Sequence, residues 1–417
     1  MNIYLARNRC QLALLVLAAL LAALPVTGAT DDHVLLKRLT YASSPERRSA
    51  KPELSADGRV VVFTSESDYF GEGIEDGDYN IWLLDIETEM LVRITDPLQP
   101  GRISDDSTVS ADGVLVAFRS DGDFLNEGIM DGSDQIWLYT SDDGSLVRVS
   151  APMMEGRGSY EPEISDDGST IAFISDCDFL SEGIPDEHYH LWLYDIESQA
   201  LTRATPSVDD ERLVRQPSLN TDGTQVAFHS DADFLGEGIQ EDQYEIWHYD
   251  VPTAQLTRIT RSPLEDRSST AAYISGDGMR IAFQSDVDFH DEGILLGQTE
   301  VWFYELEQRA LWRVTYASGE GRDSFIKGIS ANGRLVLLDG DSDFNGEGLA
   351  DNRFEIWLYS VDEEGMRRLS LASDENRDSV WGTVSDAGVV VFASDSDMLG
   401  EGIEDNQSEL WLWQGDE

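Results

Sequence analysis

Seven short acidic segments carry the residues best suited to chemistry. Each follows the pattern D-x-D-x-x-x-E or a close variant, as in "DADFLGE" at 231–237. Counted from the first acid, positions 1, 3, 7 and 11 are acidic in 27 of 28 cases. Closely spaced carboxylates suit a hard cation such as calcium. The candidate calcium ligands are Glu66, Asp68, Glu72, Asp231, Asp233, Glu237, Asp341, Asp343 and Glu347.

A structural role for these segments is the favoured alternative. Their "DFL" and "GI" residues can tuck against sheets, glycine permits positive φ, and carboxylates can accept backbone N–H groups in tight turns. The match to an EF-hand loop is poor, because position 12 of the best copy is Asn352 rather than glutamate. Phosphate binding is excluded, since no Lys-Ser/Thr follows and four carboxylates repel an anion.

One arginine precedes each acidic segment at a constant place in the sequence. On a meander of antiparallel strands it shares a rim with the segments, where it can clamp their carboxylates or contact a partner. These rim arginines are Arg47, Arg102, Arg157, Arg212, Arg267, Arg322 and Arg377. A second set falls in a strand that we expect at each outer edge, where charge discourages aggregation. Its members are Arg38, Arg93, Arg148, Arg203, Arg258, Arg313 and Arg368.

A repeat of 55 residues positions all of these groups. The tryptophan of "IWLYD"-type segments recurs at Trp82, Trp137, Trp192, Trp247, Trp302, Trp357 and Trp411. Each repeat contains four short runs rich in Val, Ile, Phe, Tyr and Thr, separated by turns such as Asp-Gly. Seven such units predict an all-β, seven-bladed β-propeller of four-stranded antiparallel blades. The last unit lacks a fourth strand, so we expect the N-terminal strand 34–40 to complete it and close the ring.

The combination of "S-x-D-G", "V-A-F-x-S-D" and "I-W-L-Y-D…L-T-R-I-T" resembles the TolB-like propeller repeat of exported bacterial proteins. The resemblance covers 30–417 and implies a propeller fold, while it says little about function. The chain departs from TolB in lacking a recognisable N-terminal α/β domain, which puts membership of that envelope system in doubt.

The N-terminal sequence indicates the cellular location of the protein, and the net charge limits the partners that it can bind. Residues 1–29 are typical of a signal peptide, which predicts a periplasmic or secreted single domain at 30–417 without an integral membrane segment. With 81 Asp and Glu against 29 Lys and Arg, the surface repels nucleic acid, so we exclude that partner. A monomer is expected. Beyond residue 29 the only cysteine is Cys177, which we interpret as a tolerated loop residue.

No catalytic motif is evident. The six histidines are dispersed, and there is no H-E-x-x-H, G-x-S-x-G or P-loop. Near-perfect repetition argues against an active site, although the sixth copy ("LVLLDGDSDF") is weakened. Trp381 falls in an innermost strand, where we expect it to fill the core or the channel. We therefore expect no catalytic residues and no cofactor.

The expected function is that of a non-enzymatic scaffold binding a protein or glycan in the cell envelope. One alternative is a calcium-binding structural propeller that uses the acidic loops. A second is a carbohydrate-active enzyme, which requires an asymmetric polar cluster in the central channel.

Overall fold

The computed structural model describes residues 35–415 apart from 45, 76, 97–101, 130–132, 152–155, 208–211, 265, 318–321, 350–352, 372–376 and 405–406. The predicted signal peptide, 1–29, lies outside these residues. Within them every regular element is a β-strand, and no helix is long and apolar enough to cross a membrane.

Four strands build each of seven antiparallel sheets. The innermost strands are β2 (Ser49–Leu54), β6 (Ser104–Val109), β10 (Ser159–Ile164), β14 (Val214–Leu219), β18 (Ser269–Ile274), β22 (Ser324–Ile329) and β26 (Ser379–Val384). The second strands are β3 (Val60–Ser65), β7 (Leu115–Ser120), β11 (Thr170–Ser175), β15 (Gln225–Ser230), β19 (Arg280–Ser285), β23 (Leu335–Gly340) and β27 (Val390–Ser394).

The third and outermost strands of each blade contain the tryptophan and the arginine that recur in every repeat. The third strands are β4 (Asn80–Asp85), β8 (Gln135–Thr140), β12 (His190–Asp195), β16 (Glu245–Asp250), β20 (Glu300–Glu305), β24 (Glu355–Ser360) and β28 (Glu409–Gln414). The outermost are β5 (Met90–Arg93), β9 (Ser145–Arg148), β13 (Ala200–Arg203), β17 (Gln255–Arg258), β21 (Ala310–Arg313), β25 (Gly365–Arg368) and, for the seventh blade, β1 (Leu35–Arg38).

The ring closes as the sequence predicts. Strand β1 pairs antiparallel with β28, with Leu35 opposite Gln414 and Arg38 opposite Trp411, so the two ends of the chain share the seventh blade. This pairing removes an exposed edge that would otherwise invite aggregation. The seven-bladed β-propeller is therefore confirmed, including its means of closure.

The core lies between neighbouring blades. All seven repeat tryptophans are fully buried, together with the second-strand phenylalanines. A loop aromatic meets each of several tryptophans edge-on, as in Phe234 and Trp247, whose ring centroids are 5.1 Å apart. The same contact recurs in other blades, as in Phe179 with Trp192, so the tryptophans serve packing.

Two faces of the ring follow from the alternating strand directions. The acidic loops, which join second and third strands, emerge on one side together with the links between blades; we name this side the loop face. The S-x-D-G turns emerge on the other side, the turn face. There, backbone bonds such as Ala111 N–H to Asp166 O (2.9 Å) and Gly276 N–H to Ala331 O (2.7 Å) join adjacent blades.

A bulge in the innermost strands shapes the channel wall near the loop face. In six blades one residue there has a positive φ, and the pairing register shifts beside it. A left-handed residue turns the strand so that successive side chains can face the channel. The residues at this bulge position are Lys51, Asp106, Glu161, Gln216, Ala271 and Trp381.

Candidate functional site in the central channel

The acidic loops use their carboxylates within the loop. At position 3, Asp68 accepts the backbone N–H groups of Glu72 and Gly73, both at 2.8 Å. Asp233 and Asp343 bind the corresponding amides of their own loops. These bonds lower the pKa of Asp68 and Asp343 although burial opposes the shift. The third position therefore stabilises a tight turn.

The other candidate calcium ligands also have partners in the protein. At position 1, Glu66 accepts the Gly77 N–H at 3.0 Å, Asp231 the Leu213 N–H, and Asp341 the Asp323 N–H, both at 2.8 Å. At position 7, the glutamates pair with outer-strand arginines.

Those position 7 pairs are Glu72 with Arg93 (3.2 Å), Glu237 with Arg258 (3.4 Å) and Glu347 with Arg368 (2.7 Å). Across the described part of the chain, no three His, Cys, Asp or Glu side chains are grouped so that they could hold a metal ion. Calcium binding by the loops stays a prediction.

The rim arginines point into the loops and clamp backbone carbonyls. Arg157 donates to the carbonyl oxygens of Asp176 and, at 2.9 Å, of Ile184. Arg322 does the same with Asp341 and Leu349, and the pattern recurs for Arg47, Arg102, Arg267 and Arg377. Arg212 bonds the carbonyl of Asp231 at 3.3 Å. The clamp thus combines main-chain carbonyl oxygens with loop carboxylates, since Arg102 also lies 3.4 Å from Asp121 and Arg212 3.6 Å from Asp231. Partner binding by this rim stays a prediction.

The second arginine set is more buried than edge positions suggest. Arg258 has a side chain that is 7% exposed, and its guanidinium bonds the fully buried Glu245 at 2.6 Å. Arg313 and Arg38 make the same pair with Glu300 and Glu409. These arginines hold the outermost strand to the third strand, in addition to placing charge at the edge.

The seven blades differ from one another at one position of the innermost strand, which we name the ring position. Two residues after the bulge position, each innermost strand presents a side chain to the channel, and the chemical type changes from blade to blade. In blade order these residues are Glu53, Thr108, Glu163, Ser218, Tyr273, Gly328 and Thr383. They line an inner cavity of about 130 Å³, and several also line a cavity of about 440 Å³ nearer the loop face. The larger cavity is of a size that suits a small ligand.

Glu53 and Glu163 form an interacting pair inside this channel. Burial raises the pKa of Glu53 to about 8, against a hydrogen bond from Thr383 that favours the charged form. The pKa of Glu163 is raised well above its ordinary value, first by burial and then by the negative charges of Glu53 and Asp166. Two carboxyl groups that influence each other and titrate near or above neutral pH can exchange protons with a bound molecule.

Two further groups complete the inner cluster. Tyr273 has a raised pKa because of burial and the neighbouring carboxyl groups Glu53 and Glu163, so its phenol remains a hydrogen-bond donor. Lys327 lines both cavities, and its ammonium lies 3.2 Å from Asp339.

The channel mouth carries charges that are held by ion pairs. Lys51 bonds Asp106 and lies 3.6 Å from Asp105, which also pairs with Arg119. Glu161 accepts the Gln216 N–H at 2.7 Å. The mouth is therefore a preorganised polar surface in the first four blades.

Sequence reasoning missed this cluster because it averaged over the repeats. The loops and tryptophans attract attention by being constant, whereas Glu53, Glu163 and Tyr273 occupy a position that holds five different residue types in the seven copies. A search for the position inside a strand at which the copies disagree most in charge and size would have found them. Trp381 lies on an innermost strand and lines the channel, one of the two places that the sequence suggested, and it is 43% exposed there.

Comparisons with known proteins agree with the architecture. No family model matches the chain, and no curated protein matches it. Among solved structures, oligogalacturonate lyase in complex with manganese aligns with a TM-score of 0.58 at 14% identity, over 92% of this chain and 93% of that one. The chain has the fold of these propellers.

A second lyase structure, from Vibrio parahaemolyticus, aligns equally well at 14% identity over 91% and 93% of the two chains. Acylaminoacyl peptidase aligns with a TM-score of 0.57 at 13% identity, over 89% of this chain and 51% of that one. TolB from Acinetobacter baumannii is also among the matches, at 15% identity over 81% and 78% of the chains with a TM-score of 0.42.

The prediction of a non-enzymatic scaffold is wrong. Solved structures that align with TM-scores of 0.57 or 0.58 are of enzymes, namely oligogalacturonate lyase, acylaminoacyl peptidase and prolyl endopeptidase. The prediction failed because it treated the repetition of loops as repetition of the whole molecule. The channel wall does not share that repetition, and it contains the asymmetric polar cluster that a carbohydrate-active enzyme requires.

Proposed function

We propose that the chain is a carbohydrate-active enzyme that hydrolyses a glycosidic bond in its central channel. The observation that carries this proposal is the pair of carboxyl groups, Glu53 and Glu163, whose pKa values are raised by the channel to different extents. Glycoside hydrolysis uses two carboxyl groups, one as an acid and the other as a base or nucleophile.

The electrostatics of the pair assign the roles. Burial and the negative charge of Glu53 raise the pKa of Glu163 well above its ordinary value, so Glu163 remains protonated and donates its proton to the glycosidic oxygen as the bond to the anomeric carbon breaks. Glu53, with a pKa of about 8, takes a proton from a water molecule, whose oxygen forms the new bond to that carbon. One water is consumed and one bond is cleaved. The proton lost by Glu163 is regained from solvent through the pair.

The remaining channel wall suits a sugar. Thr108, Ser218, Tyr273 and Thr383 place hydroxyl groups around the same ring as the two glutamates. Hydroxyl groups both donate and accept hydrogen bonds, so they match the hydroxyl groups of an uncharged glycan. The cavities offer two lysines, Lys51 and Lys327, against more numerous carboxyl groups, which disfavours an acidic sugar.

A metal does not fit this channel. One similar structure is a manganese complex, but the described residues that line the two cavities include no histidine or cysteine. Glu53 and Glu163 have raised pKa values, and a metal ligand must be ionised. We therefore derive no step through a metal.

Hydrolysis of a panel of neutral polysaccharides and oligosaccharides, followed as new reducing ends, tests the proposal. Glu163→Gln and Glu53→Gln should each lower kcat by about 10²–10⁴-fold, the usual contribution of a general acid or base. Glu307→Gln is the matched control, because Glu307 is an exposed glutamate in the outer hairpin between β20 and β21. This variant should retain full activity.

The pH profile supplies an independent check. Because Glu53 must be ionised, kcat/KM should rise with pH up to about 8 and fall only when Glu163 loses its proton at higher pH. Failure to cleave any saccharide, or full activity in both glutamine variants with folding intact, would refute the proposal.

Three earlier expectations accompany this function as proposals. The first is export to the periplasm or beyond, which the N-terminal sequence supports. The second is a monomeric state without nucleic-acid partners, which the formal net charge of −52 supports for nucleic acid. The third, calcium in the acidic loops, has the ligand chemistry in its favour and the occupied carboxylates against it.

A further inference from the structure

Blades six and seven depart from the repeat at sites that meet in the channel. Lys327 occupies the place that holds buried Pro52, Pro162 and Pro217 in other blades. The next residue, Gly328, stands at the ring position, and a Cβ atom there would meet nothing within 4 Å. The wall therefore opens beside Lys327, next to the seventh blade.

Asp339 contacts both Lys327 on the sixth blade and the backbone of Trp381 on the seventh. It is buried, with 3% of its side chain exposed, and it pairs with Lys327 at 3.2 Å. The same carboxylate accepts the backbone N–H of Trp381 on the neighbouring blade. Burial raises the pKa of Asp339 to about 6, while Lys327 acts in the opposite sense, so the carboxylate is ionised at neutral pH. Trp381 is thus tied to the sixth blade through its backbone.

The side chain of Trp381 remains in the mouth of the channel. It is 43% exposed, whereas the other nine tryptophans are not among the exposed large apolar residues. Its φ of +46° is unfavourable for a bulky residue. The strain is tolerated because the bulge recurs around the ring and Asp339 fixes the peptide. An exposed indole, held rigid and lining a cavity of about 440 Å³, is available to a ligand.

The opposite wall has a complementary character. In a ring of seven, blade seven faces blades three and four, which contribute Glu161 and Gln216 to the same cavity. Glu161 is fixed by the Gln216 N–H and by Arg215 at 3.3 Å. A molecule in the mouth therefore meets an aromatic face on one side and hydrogen-bonding groups on the other. A pyranose ring has such a shape, with apolar C–H faces and a polar rim.

We propose that Trp381 is a stacking platform for a sugar ring at the channel mouth, positioned by the Asp339–Lys327 pair. This inference rests on the proposed function and extends it, because the platform lies nearer the loop face than Glu53 and Glu163. The substrate is then an oligosaccharide of at least two rings. One ring stacks on Trp381, and its neighbour reaches the glutamates inside the channel.

Binding of neutral oligosaccharides to Glu163→Gln, measured by calorimetry and tryptophan fluorescence, tests the platform without turnover. In this background Trp381→Ala should weaken binding of a trisaccharide by about tenfold or more, a usual effect of removing a well-placed tryptophan. It should also abolish the ligand-induced change in fluorescence. Trp381→Phe should recover part of the affinity, because the ring face is kept.

A control variant and a comparison of KM with kcat distinguish loss of the stacking platform from a general loss of structure. Phe70→Ala removes an aromatic side chain that is 53% exposed on an acidic loop and absent from both cavities, so affinity should be unchanged. With Glu163 restored, Trp381→Ala should raise KM for the trisaccharide more than it lowers kcat. Asp339→Asn should show the same split to a smaller degree.

The outcomes distinguish the two proposals. If Trp381→Ala binds the trisaccharide within about twofold of the parent, the platform is refuted while the hydrolytic function stands. If the parent binds no saccharide and the unaltered chain cleaves none, both proposals are refuted together.

Discussion

Replacing Arg258 with alanine should destabilise the fourth blade far more than the same change in the first blade. Arg258 donates to Glu245 at 2.6 Å, to the carbonyl oxygen of Thr260 at 3.0 Å and to Glu237 at 3.4 Å. Glu245 is fully buried and also accepts the Ser262 N–H at 2.8 Å. Without the guanidinium, an ionised carboxylate would be left in the protein interior without its cation.

The magnitude follows from burial on both sides of the pair. Breaking a buried ion pair by removing one partner costs about 3–5 kcal/mol. The matched control is Arg93→Ala, because blade one has the neutral Asn80 where blade four has Glu245. Within the described part of the chain, Arg93 pairs with carboxylates that are 47% and 80% exposed, and such pairs contribute about 0–1 kcal/mol each. The difference between the two variants should be about 2–4 kcal/mol.

Urea unfolding followed by tryptophan fluorescence and circular dichroism measures this difference. A second variant, Arg258→Ala with Glu245→Gln, should recover a substantial part of the loss, because the unpaired charge is removed while the hydrogen-bond acceptor remains. Equal destabilisation by Arg258→Ala and Arg93→Ala would show that the buried glutamate does not depend on its arginine, and the reasoning would fail.

Four other predictions concern separate parts of the molecule. Deleting 35–38 should abolish cooperative unfolding, since β1 completes the seventh blade; unchanged thermal unfolding of the deletion variant would contradict this. Thermal unfolding should be the same in calcium and in chelator if Asp68 and its equivalents serve the loop backbone, and a large calcium-specific rise would reverse that interpretation. Cys177, 1% exposed and with a pKa raised to about 11 chiefly by burial, should resist thiol reagents in the folded chain, and rapid labelling would contradict it. Because folding raises the pKa of Glu53 from 4.5 to about 8, stability should fall as pH rises between these values; Glu53→Gln should therefore be more stable than the unaltered chain at pH 8 but not at pH 4, and an equal difference at both would refute the shift.

The fold could be predicted from the sequence because the same strand pattern occurs in seven copies. A single "IWLYD" segment is compatible with many kinds of β-sheet. A tryptophan that recurs about every 55 residues favours a closed ring of blades over other sheet architectures. The closure of the ring was also predictable, since the missing fourth strand of the last unit has its pattern in 34–40. Contacts within a blade are local in sequence, which makes them visible in the pattern.

The roles of charged residues were harder to predict, since charge alone does not reveal its partner. The rim arginines were expected to meet carboxylates, as Arg212 does with Asp231, but the main-chain oxygens of Asp341 and Leu349 that Arg322 bonds were not predicted. A backbone carbonyl is present at every position and leaves no trace in the sequence. Likewise, the burial of Arg258 depends on its pairing with Glu245, 13 residues earlier on the adjacent strand, and the charge of the arginine alone does not reveal that partner.

The candidate site shows why a repeat protein can be misread as a uniform scaffold. The buried tryptophan and the arginine and aspartate bonds of the loop recur in each copy, so substitutions there are costly at all seven places. Side chains that project into the channel face the interior space and contact the next blade through hydrogen bonds, as Ser218 does with the Ile274 N–H at 3.1 Å, so a copy can differ with less effect on the packing of the ring. Glu53, Glu163 and Tyr273 lie at such a position, and so does Gly328. The constant positions account for stability, and the variable one is where a function can be built. It follows that exchanging Glu163 for threonine, the residue of blades two and seven, should preserve the fold while removing the proposed acid. A loss of folding in that exchange would mean that the channel residues also support the ring.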